Sequence, residues 1–348
     1  MKKANGGKRT RREENVSRVR LSVLDVSPVA SGESARDALL ATFATAKHVE
    51  ALGYERYWVA EHHNAGALAC PAPEVLVGQL LACTTRLRVG SGGVMLPNHS
   101  PLRIAEAFRV LHALYPDRVD LGIGRAPGTD KRTTALLRRN STSDFAVTFD
   151  ELARFFVDEP LPRAPFPTTV VAIPVGVPAP ATWLLGTSVE SALFAAGRGL
   201  GYAYAHHISP QDAESALLAY RAAFVPSHAR ASPHAIVAVA AAVADDLPTA
   251  EALRHASQVS ALRFARGERD LPMPTLAEAS RHELDEEERA ILEAYKGRAF
   301  VGATEAIAIH LRDLVARTKA DELMLMTNVA PRDLQLASHT SLARALFA

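Results

Sequence analysis

Two cysteines in 348 residues, Cys70 and Cys83, are too few for a disulfide framework or a multi-cysteine metal cluster. No apolar run reaches the roughly 18 residues that a membrane-spanning helix needs. Residues 1–20 contain no apolar h-region, so they do not read as a secretory signal, and a cytoplasmic location is expected. Charge of one sign is scarce too: 39 Lys and Arg against 38 Asp and Glu give a formal +1, which argues against nucleic acid or a membrane as the main partner. That balance is uneven along the chain. Residues 1–20 hold eight basic and two acidic side chains, leaving 31 basic and 36 acidic in the remainder. A solvated, disordered basic tail over 1–20 is expected, followed by one mildly acidic domain over 21–348.

Hydrophobic residues make up 48% of the chain, enough to fill a large core. They fall in a regular alternation of short apolar runs and helical patterns. Strands are expected at 21–25, 57–60, 87–95, 118–123, 182–185, 201–205, 235–244 and 322–327. Helices are expected between them, with Gly53 as a stop and Pro73 and Pro101 as starts. Residues 159–180 carry seven prolines and read as an irregular insertion. Residues 267–300, rich in charge, read as a helical excursion around 285–295 before the last strand. Eight strands with intervening helices favour a (β/α)8 barrel, with a doubly wound open sheet as the alternative.

Barrel chemistry is built at the strand C-terminal ends. Those ends carry Asp25, Glu61-His62-His63, Gly92-Gly93, Arg125, Gly186-Thr187-Ser188, His206-His207, Asp245-Asp246 and Thr327-Asn328. The adjacent His62 and His63 point to opposite sides of an extended chain and do not chelate one ion, and the first strand has no His-x-His, so no metal is expected. Neither Gly122-Ile-Gly124-Arg-Ala-Pro-Gly128 nor Gly197-Arg-Gly-Leu-Gly201 fits the dinucleotide fingerprint, and there is no G-x-S-x-G elbow. A phosphate-bearing cofactor at the barrel mouth is the remaining class. Arg125 can grip a phosphate or serve in an ion pair. Gly186, Thr187 and Ser188 can meet an anion or simply cap a helix. Gly92-Gly93 marks a bulge, a close approach of backbone to a flat ligand, or a packing position.

The runs Trp58-Val-Ala-Glu-His-His-Asn64, Gly90-Ser-Gly-Gly-Val-Met-Leu-Pro-Asn-His-Ser-Pro101 and Arg118-Val-Asp-Leu-Gly-Ile-Gly-Arg-Ala-Pro-Gly-Thr-Asp130 resemble the bacterial luciferase-like flavin-dependent monooxygenases. The resemblance runs from about residue 21 to the C-terminus and includes the closing Ala320-Asp-Glu-Leu-Met-Leu-Met-Thr-Asn328. It implies a (β/α)8 barrel using reduced FMN supplied by a separate flavin reductase, with O2 activated as a flavin C4a-peroxide that oxidises a small organic molecule. A sister branch uses F420, and some barrels of the family serve as non-catalytic flavin-binding partner subunits. By the same resemblance, Gly92-Gly93 falls on a non-proline cis peptide beneath the flavin ring, and Arg125 on a phosphate-binding arginine. Thr187 and Ser188, next to Gly186, fall on a phosphate turn, and His62 on the catalytic histidine with His63 beside it. Asp25, His63, Asn98 and His207 are candidates for the substrate pocket. A homodimer through the helices after the second and third strands is expected. Gly124 stands where the luciferase has a reactive cysteine, so light emission is not implied.

Overall fold

The computed structural model describes residues 19–126, 128–137, 144–157, 161–163 and 166–347. Nearly all of the segment assigned to a tail therefore lies outside the described residues. Its last residue, however, belongs to the domain: β1 spans Arg20–Asp25.

Eight parallel strands close into a barrel in the order β1, β2 (Arg56–Val59), β3 (Arg88–Met95), β4 (Val119–Gly124), β7 (Ala181–Gly186), β8 (Gly201–Ala205), β9 (Ala235–Ala244) and β11 (Glu322–Met326), which pairs back onto β1. Helices α1 (Ala35–Leu52), α2 (Pro73–Cys83), α3 (Pro101–Leu114), α6 (Val189–Gly197), α7 (Ala213–Ala223), α8 (Leu247–Ala265), α11 (Thr304–Thr318) and α12 (Arg332–Phe347) surround it. The short helices α4 (Lys131–Leu137) and α5 (Phe145–Arg154) follow β4. The fold is a (β/α)8 barrel, as the alternation of the sequence predicts. Helix starts obey local chemistry. Ser34 and Asp37 form a reciprocal capping box on α1, and prolines occupy the first turns of α2 and α3.

Two segments differ from expectation. The proline-rich insertion contains an antiparallel hairpin, β5 (Leu161–Arg163) with β6 (Phe166–Val170). A two-stranded ribbon leaves half of its backbone groups unpaired, so a residue lacking an N–H is tolerated at Pro162. The excursion before the last strand holds helices α9 (Leu276–Ala279) and α10 (Glu286–Ala294) and then a further strand, β10 (Ala299–Ala303). The ten-residue β9 makes room for it. Its first half pairs with β8, while Ala240–Ala244 extends beyond the barrel and pairs with β10. Among the described residues no helix is long and apolar enough to cross a membrane.

The barrel interior is layered. At the strand N-terminal ends sits a buried ionic floor. Arg56 donates Nη1 to Asp120 at 2.6 Å and Nε and Nη2 to Glu322 at 2.6 and 2.9 Å. Arg88 also binds Asp120, and Ser22 and His234 bind Glu322. Above it lies an apolar layer of Leu24, Trp58, Trp183, Ile236 and Met324, with the two indoles edge-on at 5.5 Å. Together they close the bottom of the barrel and leave the C-terminal mouth as the open end.

The shell between barrel and helices contains buried histidines. His339 on α12 is fully buried, neither ring nitrogen has a hydrogen-bond partner among the described residues, and burial pushes its pKa down to about 3. His206 is pushed down to about 4, again chiefly by burial. Both are neutral in the fold and take up protons more readily when unfolded, so stability is expected to fall as pH drops below the ordinary histidine value of about 6.5. His339→Leu should flatten this acid slope by close to one proton, about 1.4 kcal/mol per pH unit between roughly pH 6 and 4. Urea titrations of both proteins across that range measure it; parallel slopes would contradict the assignment.

Candidate functional site

Strand parity decides which candidates meet at the mouth. On β2 the inward positions are Arg56, Trp58 and Ala60, and the next inward position is His62. On β8 the inward series runs through Ala203 to His207. The two histidines come together across the mouth, near enough that charge on His62 depresses the pKa of His207. Below them Val26, Ala60, Ala203 and Ala238 form the floor, with Leu68, Leu185 and Met326 packed around it. The short side chains of Ala60, Ala203 and Ala238 make this level of the mouth an apolar cup in composition.

Nδ1 of His62 is buried and has no hydrogen-bond partner among the described residues. Burial holds the ring below the usual histidine pKa, outweighing a backbone hydrogen bond with Ala60 and the pull of the neighbouring Glu61 carboxylate. His207 Nδ1 lies 3.1 Å from the Ala238 carbonyl, which only accepts, so Nδ1 carries the proton and Nε2 is the free acceptor. Burial likewise lowers its pKa. The cup thus presents two neutral imidazoles in an apolar setting.

Gly92 and Gly93 are joined by a cis peptide, and the β3–β4 register jumps between Ser91 and Val94, so the bulge read from the sequence is present. A Cβ at Gly92 would sit 2.5 Å from Leu24 and 3.0 Å from Trp58, so the second layer packs directly against this backbone. At Gly124 a Cβ would lie 2.9 Å from Met95 Sδ, so the thioether of Met95 takes up the space beside that position.

Arg125 and the 186–188 turn meet through a third residue. Arg125 donates to Glu190 at 3.1 Å, and Glu190 lies in the first turn of α6. Ser188 caps that helix reciprocally with Ser191. Ser191 approaches Gly186 so closely that any side chain at 186 would collide with it. Tyr202 and Tyr204 brace the turn from β8 through the Ser188 and Thr187 carbonyls, at 3.2 and 3.1 Å. Arg125 is 60% exposed and Glu190 77%, so their pair is screened and weak. A cation and a helix N-terminus converge where a surface carboxylate now sits. This donor set fits a phosphate, which would displace Glu190.

Three other candidates lie elsewhere. Asp25, expected in the substrate pocket, faces outward between β1 and α1. Its carboxylate accepts from the Ser27 N–H and Thr42 Oγ1, both at 2.7 Å, and from Tyr57 OH, because odd positions of β1 point to the helices. His63 and Asn98 sit at the rim, where both donate to Glu61. Glu61, Tyr202 and Tyr204 are site-building residues that the sequence reading did not select. A carboxylate beside two histidines at a strand end was the available signal for Glu61.

Residues 19–321 match the family model for luciferase-like monooxygenases. A luciferase-like monooxygenase of Escherichia coli strain K12 is 39% identical over 325 residues, covering 92% of this chain and 95% of its own. The N-acetyl-S-alkylcysteine monooxygenase of Bacillus subtilis strain 168 is 40% identical over 235 residues, covering 64% and 68%. The crystal structure of apo-MsnO8 superposes with a TM-score of 0.84 at 36% identity, covering 94% of this chain and 98% of that one. More remote structures of the same fold, at 16% and 14% identity, include an FMN-bound oxygenating constituent of 3,6-diketocamphane monooxygenase and an F420-dependent secondary alcohol dehydrogenase.

Proposed function

The chain belongs to the luciferase-like monooxygenase family, and from that premise we propose that it is an FMN-dependent monooxygenase that oxidises a small, uncharged organic molecule. The observation that carries this reading is the buried, unpartnered Nδ1 of His62, set in an apolar cup opposite the free acceptor of His207. A polar atom left unsatisfied in a native interior calls for an explanation, and at the mouth of a barrel a ligand or a reacting group supplies one. Reduced FMN, delivered by a separate reductase, would supply the electrons and the site of O2 activation.

The remaining tasks belong to this chain. Arg125 and the turn at Gly186, Thr187 and Ser188 hold the phosphate. Gly92 and Gly93 offer a surface without side chains to the flat ring. The apolar floor excludes water, and His62 moves a proton at the reacting centre, since a neutral imidazole can accept one near working pH. His207 orients the substrate through Nε2. FMN is preferred to F420 because relatives at 39% and 40% identity are named as monooxygenases. A homodimer is the expected assembly.

Fluorescence titration with oxidised FMN, riboflavin and F420 tests the cofactor. FMN is expected to bind more tightly than riboflavin. Arg125→Ala should weaken FMN about tenfold, the loss of one charge-assisted hydrogen bond, and leave riboflavin unchanged. Equal losses for both flavins would remove Arg125 from the phosphate site. Binding of F420 without FMN would replace the cofactor.

A further inference from the structure

Glu61 is the most completely enclosed charge at the mouth, with no exposed surface. A carboxylate in such a place is costly unless its lone pairs are filled. Here they are. Oε2 accepts the Met95 backbone N–H at 2.9 Å, and Oε1 accepts His63 Nε2 at 2.7 Å and Asn98 Nδ2 at 3.4 Å. His99 Nε2 sits 2.9 Å from both oxygens. A carboxylate only accepts, so both histidines present Nε2–H to it. Burial pushes the Glu61 pKa up, but the bonds from His99, Met95 and His63 outweigh it and hold the group ionised. His99 is raised in turn, the bond to Glu61 overcoming its own burial.

The placement of these partners matters more than their number. Met95 ends β3, two residues beyond Gly93, just after the register jump. His99 and Asn98 lie in the turn that leads into α3. Glu61 itself is the chain neighbour of His62. One carboxylate therefore fastens the strand end that carries His62 to the strand end that carries Gly92 and Gly93. Among the described residues, the backbone ladder between these two strands stops at Val59 and Ser91.

We propose that Glu61 is a positioning residue for the flavin seat: by accepting the Met95 amide and the His99 imidazole it sets the distance and tilt between the Gly92-Gly93 backbone and His62. This rests on the flavin reading above, and misplacement of a site by about an ångström is enough to change affinity or rate up to a hundredfold.

The test uses the full chain with Glu61→Ala, Glu61→Gln and, as a control for lost stability, His339→Ala. Hydrogen exchange is followed by mass spectrometry without flavin, and FMN affinity by fluorescence. Glu61→Ala should speed exchange in peptides covering residues 91–99 and raise the FMN dissociation constant about tenfold or more. Glu61→Gln, whose side-chain carbonyl still accepts the Met95 amide, should recover most of both. His339→Ala should lower stability while leaving both readouts at the mouth unchanged. Unaltered exchange at 91–99 in Glu61→Ala overturns the proposal, as does FMN affinity that merely follows stability across all three variants. Wild-type protein that binds neither FMN nor F420 refutes the flavin reading instead, and the exchange data still decide whether Glu61 holds the two strand ends together.

Discussion

Arg56→Met is expected to destabilise the protein by about 3–5 kcal/mol, the cost of stranding a buried charge by removing its partner. The guanidinium is 2% exposed and lies between Asp120 and Glu322, both fully buried. Burial pushes the pKa of each carboxyl up, and Arg56 foremost among their partners reverses that, holding Glu322 at about 2 and Asp120 below its ordinary range. With Arg56 gone, two carboxylates face each other across the barrel floor, Asp120 still bound by Arg88 and Trp58 Nε1, and Glu322 by His234 and Ser22. Their pKa values then rise, so acidification relieves the variant by neutralising them. In the wild type the same carboxyls contribute stability above their unfolded pKa, near 4, and lose it as pH falls towards 2. The difference between the two proteins is therefore largest near neutrality and narrows towards pH 4. Removing Glu322 as well, as Arg56→Met with Glu322→Gln, should cost less than Arg56→Met alone, because a charge and its counter-charge leave together. Denaturant titrations at two pH values measure all of this; a loss below about 1 kcal/mol at neutral pH would show that the floor is dispensable.

This ionic floor also marks a limit of what the sequence makes legible. The eight barrel strands were readable to within one or two residues, because strands buried on both faces are near-continuous apolar runs closed by glycine, proline or a capping residue. Charged residues at the strand starts, Arg56, Asp120 and Glu322, interrupt those runs without announcing that they meet, since their pairing spans 64 and 266 residues. β10 was hidden for another reason. Its five residues, Ala-Phe-Val-Gly-Ala, follow a charged segment and pair only with the far half of β9. The candidate site divides along the same line. Residues whose role depends on type and order, such as the glycine pair at the bulge or Ser188 as a cap, were visible in one dimension. Direction was not. Asp25 stands one residue from inward-facing Leu24, and only the parity of β1 sends it to α1 instead of the cup. Glu61 shares its strand end with two histidines, and only its four partners at the rim mark it as the hub of that corner.

Replacement of His62 by Ala should have the largest effect on activity, lowering product formation about 10²–10⁴-fold, the range for losing one positioned acid–base group. FMN affinity should stay within about twofold of wild type, because in the proposed arrangement other residues hold the phosphate and ring and the lost imidazole would act in the chemical step. Its pH dependence separates a proton-transfer role from simple space-filling. Burial holds His62 below the ordinary histidine pKa, so the neutral form persists to lower pH than a free imidazole would allow. A rate that needs neutral His62 should be level at neutral pH and fall along an acid limb lying below about pH 6.5. His62→Ala should lose that limb together with the rate. Reduced FMN, O2 and a panel of small neutral ketones, aldehydes and thioethers supply the assay, with oxygenated product and hydrogen peroxide counted separately. If His62→Ala turns over at the wild-type rate with the limb intact, the proton passes elsewhere. Loss of rate together with FMN binding would instead make His62 part of the cofactor seat.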